Sequence, residues 1–298
     1  MASASSQPSD KARRIVAQDA RAWGQLGVAW GVRGRADGAQ GQHEQVQMPT
    51  SHVRTPEPDA QEPDSMPRRK THAGQTEGQI EAKPRHPSEP SDAGGSGREA
   101  AERRLAAILA DYEAASPHLA TGTPHSTIVF GEGDPCARIM FVGEAPGAEE
   151  DRLGRPFVGR AGQKLDQMIQ AMGLKREDVY IANVLKVRPP NNATPTIEEA
   201  AASAPFLMRQ IEVIAPEAIV ALGLPSARLL TGQTLSMREL RGHWWPLVMA
   251  EGGQFQVLPT YHPAYLLRNY TPETRRKVWE DLKRVLEQLE LPVPARGG

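Results

Sequence analysis

ARIMFVGEAPGAEEDRLGRPFVGRAG, Ala137 to Gly162, decides the fold. Arg138 to Gly143 is a short apolar run of the kind that forms a buried strand, and a Gly/Pro turn stops it at GEAPG. A helical pattern, Ala161 to Met172, follows. Three further β-type runs lie downstream: Val179 to Val184, Ala218 to Leu222 and Phe255 to Thr260. Between them, Ile197, Ala200, Ala204, Leu207, Ile211 and Ile214 form a stripe at helical spacing, with Thr196 and Glu199 placed as a capping box. Pro225 to Leu230 is a shorter helix. Val278, Leu282, Val285 and Leu289 mark a last one, with Thr271 as cap and Pro272 in its first turn. Glu99 to Tyr112 precedes the set as a helix. Alternating strands and helices predict an α/β fold, a three-layer α/β/α sandwich around a central four-stranded parallel sheet. Ligands of such sheets bind beyond the carboxyl ends of the strands. GEAPG, NVLKVRPP, Gly223-Leu224 and YHPAYLLRN all fall there.

The rest of the chain narrows the classes. Its 298 residues carry a net charge of −1, so any contact with nucleic acid rests on a local patch rather than a global field. One cysteine, Cys136, excludes a disulfide framework and a cysteine-built metal site. The N-terminus lacks the apolar core of a signal peptide, and no apolar run approaches the ~20 residues that span a bilayer. The expectation is a soluble, cytoplasmic monomer with no membrane association. Residues 34 to 98 are Gly-, Pro-, Ser- and Gln-rich, too polar to offset their ordering entropy. Residues 1–98 therefore read as a disordered extension and 99–298 as the folded domain. Within the extension, Arg13 to Val32 carries Ile15, Val16, Trp23, Leu26, Val28 and Trp30. It reads as a terminal helix on the body, a frayed segment, or a docking element for a protein partner.

Three motifs carry candidate chemistry. In Gly143 to Gly162, the glycines allow close backbone approach, and Glu144, Glu149, Glu150 and Asp151 supply carboxylates. Phe157 could stack on a planar ring or simply plug the core. Gly159 to Gly162 opens a helix whose N-terminus suits a phosphate. In NVLKVRPP, Asn183 ends a strand, where its amide can pair with the imide edge of a pyrimidine or satisfy loop backbone. Lys186 and Arg188 follow as phosphate contacts or solvated charges. In YHPAYLLRN, His262 is restrained by Pro263 and can donate to developing negative charge, unless it is a structural histidine. Tyr265, Leu266 and Leu267 beside Arg268 form either a wedge for a base stack or the start of a core helix. A fourth stretch, RGHWWP from Arg241 to Pro246, mixes cations and aromatics but more often belongs to a core, and no chemistry is assigned to it.

Taken together, GEAPGAEEDRLGRPFVGRAG, NVLKVRPP and YHPAYLLRN resemble the family-4 uracil-DNA glycosylases, from about Val129 through FGEGDP to the last helix. The resemblance implies a repair enzyme that flips uracil out of DNA and hydrolyses its N-glycosidic bond. It assigns catalysis to Glu144 and His262. It sets Phe157 and Asn183 on the uracil, with Glu150 as a second acidic position, and Leu266, Leu267 and Arg268 at the gap in the duplex; Gly143 joins the uracil-binding candidates, and Arg160, Lys186 and Arg188 are the further candidate DNA contacts. Uracil-containing DNA is the implied partner.

One departure concerns the cofactor. The family carries four cysteines on an iron–sulfur cluster, and the corresponding positions here are Ser116, Leu119, Val187 and Ser203. Clusters need thiolates, so no cofactor is expected. The chain also lacks the Arg- and His-bearing insertion of relatives that attach covalently to DNA. Rival readings are a non-catalytic module that binds damaged DNA, an enzyme for another base such as hypoxanthine, and a nucleotide-binding protein. The last lacks the Lys-Ser/Thr ending of a P-loop.

Overall fold

The structure is a computed structural model that describes residues 94–120, 127–250 and 252–295. The candidate docking segment, Arg13 to Val32, and the expected linker up to residue 93 lie outside the described residues. Residues 94–98, expected to be disordered, instead open the first helix, α1 (Gly94–Ala115). A short α2 (Pro117–Ala120) follows.

The sheet has six strands in the order β1-β3-β2-β4-β6-β5. Its centre is the expected parallel set: β2 (Ile139–Gly143), β3 (Tyr180–Asn183), β4 (Ala218–Leu222) and β6 (Gln254–Thr260). The expectation of four strands is corrected by two antiparallel edges, β1 (Glu132–Gly133) and β5 (Trp245–Val248). β1 has only two residues, and β5 carries Pro246, which an edge tolerates because one side needs no ladder donor.

β2, β3 and β4 are buried at every position, so they read as continuous apolar runs rather than alternating ones. α1, α5 (Ile197–Ile214) and α6 (Leu224–Thr231) cover one face, through residues such as Tyr112, Leu207 and Leu230. α4 (Arg160–Ala171) and α9 (Pro272–Gln288) cover the other through Leu165, Ile169, Leu282 and Val285. Three short helices complete the fold: α3 (Ala148–Leu153), α7 (Met237–Leu240) and α8 (Pro263–Arg268).

The caps read from sequence form as expected. Thr196 accepts from the Glu199 amide, whose carboxylate accepts from Thr196 N, and Thr271 accepts from Thr274 N. The chain leaves β2 to one side for β3, then crosses back to place β4 on the other. That reversal opens a crevice at the carboxyl end of β2, where Gly143 stands. No helix among the described residues is long and apolar enough to cross a membrane.

Candidate active site

Gly143 and Asn183 end their strands side by side as register partners. Their side-chain directions therefore agree, and glycine leaves the space that Asn183 and Phe157 occupy. A methyl group on Gly143 would lie 2.5 Å from Phe157 Cζ and closer still to Asn183 Oδ1. Asn183 is buried, and its Oδ1 has no hydrogen-bond partner among the described residues. A buried amide oxygen without a donor is costly, so it marks a position where a ligand N–H is accommodated.

Phe157 sits in the left-handed region at φ 50°, a rare conformation for an aromatic residue. Two features hold it there. Its carbonyl packs against Gly162 so closely that any side chain at Gly162 would collide with it. Glu150 fastens the loop on both sides: Oε1 accepts from Val158 N and Gly159 N at 2.8 Å each, and Oε2 accepts from Gly147 N at 3.1 Å. Glu150 was expected to bind the base. The carboxylate is instead committed to three backbone amides, so its role is to set the Phe157 loop.

His262 faces Phe157 with ring centroids 5.7 Å apart. It caps α8, and its Nδ1 accepts from Ala264 N at 3.1 Å. An acceptor Nδ1 puts the proton of the neutral ring on Nε2, the remaining donor. Burial, with help from the Arg268 charge, pushes its pKa down to about 4 while Glu150 pulls weakly the other way. The imidazole is thus neutral near pH 7, a hydrogen-bond donor rather than a cation. Gly223 (φ 92°) gives it room, since a side chain there would come within 3.1 Å of His262 Cβ.

Glu144 follows Gly143, and burial raises its carboxyl pKa above the ordinary value. Its carbonyl accepts from Leu185 N at 3.0 Å, which joins the first motif to the second. Gly143, Phe157, Asn183 and His262 therefore meet at one crevice, with half-buried Glu144 next to Gly143 in the chain. A neutral donor, a partly desolvated carboxylate, an aromatic face and an open amide acceptor can bind a planar heterocycle and polarise a bond on its rim.

The expected DNA contacts divide. Arg160 and Arg268 are exposed, and Arg188 is half-exposed with its Nε on Asn192 Oδ1. Leu267 projects from α8, 37% exposed. Leu266 does not: it packs in the core with Val278 and Leu282, because the helical turn of α8 sends neighbouring residues to opposite sides. Lys186 is corrected too. It is fully buried, with Nζ donating to the Asn183 carbonyl and to Gln210 Oε1, and burial lowers its pKa to about 7. It braces the end of β3 against α5 and cannot reach a phosphate.

A further group escaped the sequence reading. Asp281 is 1% exposed and accepts from Thr260 Oγ1 at 2.7 Å and from Arg241 through both oxygens at 2.8 and 3.1 Å. Arg241 lies over the Tyr261 ring, 5.6 Å from its centroid. This network clamps the end of β6 two residues before His262. Asp281 breaks the apolar stripe of Val278, Leu282 and Val285, and an acid on a buried helix face was the signal.

The positions equivalent to cluster ligands do not fit an iron–sulfur group. Ser116 Oγ donates to the Glu113 carbonyl, and Val187 and Ser203 are buried. Tyr112, close to Ser203, packs edge-on against Phe206 and stacks on His118. Cys136 is exposed in the turn before β2.

Comparison with known proteins places this geometry in context. Residues 130–283 match the model of the uracil DNA glycosylase superfamily. The chain is 51% identical over 160 residues to a type-4 uracil-DNA glycosylase of Thermotoga maritima, covering 53% of this chain and 81% of that protein. Identity to the type-4 enzyme of Sulfurisphaera tokodaii is 47% over 164 residues, 53% of this chain and 73% of the relative. For that of Pyrobaculum aerophilum it is 44% over 158 residues, 52% and 79%.

Proposed function

This chain belongs to the uracil DNA glycosylase superfamily, and we propose that it flips uracil out of DNA and hydrolyses the N-glycosidic bond, leaving an abasic site. The observation that carries this is the crevice in which Gly143, Phe157, Asn183 and His262 meet, with the Asn183 amide oxygen lacking a donor. An imide N–H of uracil is such a donor. The target bond is inaccessible inside a duplex, so the nucleotide leaves the stack at a cost of about a few kcal/mol. Phe157 then covers the ring and Asn183 reads its edge. Leu267 and Arg268 stand at the exposed tip of α8, where they prop the gap.

In the chemical step the bond from C1′ to the base nitrogen breaks and its electron pair leaves with uracil. The sugar becomes oxocarbenium-like and the base an anion. Nε2–H of neutral His262 donates to the base oxygen on which that charge gathers. Glu144 faces the opposite charge: its carboxylate stabilises the cationic sugar and takes a proton from the water that adds to C1′. Electrostatic stabilisation of this kind is worth about 3–4 kcal/mol per donor, so His262→Ala lowers the rate by about 100- to 1,000-fold.

We also propose that the protein works without a metal or cluster, because Ser116, Val187 and Ser203 offer no thiolate. That replacement keeps a second reading in view, a module that binds damaged DNA without cutting it. Base release from an oligonucleotide with one uracil, by wild type and His262→Ala, separates the two. Uracil-dependent binding without release supports the module and sinks the enzyme. We read the protein as a cytoplasmic monomer acting at the nucleoid, with Arg13 to Val32 available to a protein partner. Light scattering and deletion of that segment test those points.

A further inference from the structure

Lys164 and Arg275 stand on different helices but meet at one side chain. Lys164 Nζ lies 4.5 Å from the centroid of the Tyr270 ring, and the Arg275 guanidinium 5.1 Å from it. Tyr270 is 56% exposed, in the link between α8 and α9. The three border a groove between α4 and α9 that Leu266 and Arg276 also line. α4 and α9 both start at the carboxyl edge of the sheet and α8 packs on α4, so the groove adjoins the crevice.

The charges around it differ from those of the nearby surface. Arg276 pairs with Glu280 at 2.9 Å, and Lys277 with Glu273 at 2.6 Å. Arg275, between Pro272 and Thr274 on one side and these pairs on the other, has no carboxylate at ion-pair distance among the described residues. Among the described residues Lys164 donates only to the neutral Gln167, at 2.6 Å. One turn before Lys164 on α4 stands Arg160, also a cation. Like charges four residues apart weaken a helix, so this spacing carries a local cost. Tyr270 meanwhile holds two cations together that would otherwise repel.

We propose that Lys164 and Arg275, gathered by Tyr270, with Arg160 one turn earlier on α4, form a phosphate track that carries the backbone of the DNA strand away from the base crevice. The track rests on the glycosylase reading for its ligand and extends it from Arg160, in the first motif, to Lys164, Tyr270 and Arg275, which no motif marks. It fits an anionic polymer: cations from the first turns of two helices stand beside an open groove that adjoins the site. Its contribution is to affinity and salt dependence, because phosphate contacts position the enzyme without reading sequence.

The test measures binding to a fluorescent duplex whose single deoxyuridine carries a 2′-fluoro group that resists cleavage. Wild type is compared with Lys164→Gln/Arg275→Gln across a salt series. Each lost phosphate contact lowers the slope of log K against log salt by about 0.9, so the double variant loses about 1.8. Its affinity at 0.1 M salt falls by about tenfold or more. Tyr270→Ala weakens binding less, and Tyr270→Phe and Lys164→Arg retain it. Single-turnover uracil release at saturating enzyme stays at the wild-type rate in all of these variants, since none touches the base. A double variant with the wild-type slope overturns the track. Wild type that releases no uracil, with the slope still lost in the variant, refutes the enzyme reading and leaves the track standing.

Discussion

Gly143→Ala isolates the geometry of the crevice, because Gly143 is not in the left-handed region and alanine adds no backbone strain there. Only the new methyl group acts. It would lie 2.5 Å from Cζ and 2.8 Å from Cε2 of Phe157, with the Asn183 amide oxygen on its other side. Ordinary contact requires the ring to retreat by about 1 Å, the size of misplacement that costs about 100-fold in rate. The ring cannot retreat freely, because Glu150 and Gly162 fix its loop. Overpacking of this kind costs about 1–3 kcal/mol of stability, so the variant still folds. Single-turnover release from an oligonucleotide with one uracil, with enzyme in excess, should fall by about 100-fold while a thermal melt stays cooperative. A folded variant that releases uracil at the wild-type rate would refute the claim that Phe157 and Asn183 must sit where they do.

Other perturbations follow from the same contacts. Glu150→Ala strips three backbone amides of their acceptor; a loss of about 2–4 kcal/mol in urea denaturation, with a lower release rate, is expected. Lys186→Met leaves Gln210 Oε1 and the Asn183 carbonyl without a donor, costing about 1–3 kcal/mol, yet keeps the wild-type salt slope of DNA binding. A reduced slope would restore Lys186 to the phosphates. The His262 ring resonance, identified by its absence in His262→Ala, should titrate near pH 4 and show no change near 6.5. Since that folded pKa lies below the unfolded one, protons favour the unfolded chain, and stability contributed by His262 is lost as pH falls from about 6.5 through about 4.

The parallel core was legible because buried strands and amphipathic helices differ in period, and Gly/Pro turns separate them. Ala218–Leu222 was placed to the residue. The edge strands were not: two residues at Glu132–Gly133 have no period, and Pro246 argues against a strand until an edge position excuses it. In the site, Gly143, Asn183 and His262 were legible as motif residues at or just beyond strand ends, and Phe157 as an aromatic in a glycine-flanked loop. Their neighbours misled where residue type pointed one way and packing another. Lys186 reads as a solvated charge, yet lies among Val184, Leu185 and Val187 and is buried with them. Glu150 was one of three consecutive acids, and only the return of the loop shows which of them meets the amides. Leu266 and Leu267 are equal in sequence and separated only by the turn of α8. Tyr270 with Lys164 and Arg275 spans more than 100 positions and needed the fold to bring it together.

Base release by purified protein whose iron content is measured on the same sample tests the central claim most directly. Free uracil in step with abasic sites, from protein with no stoichiometric iron and lost in His262→Ala, is the result expected of a cluster-free glycosylase using this crevice. Folded protein that binds uracil-containing DNA but leaves every glycosidic bond intact, or that releases uracil only when iron is bound, would contradict it.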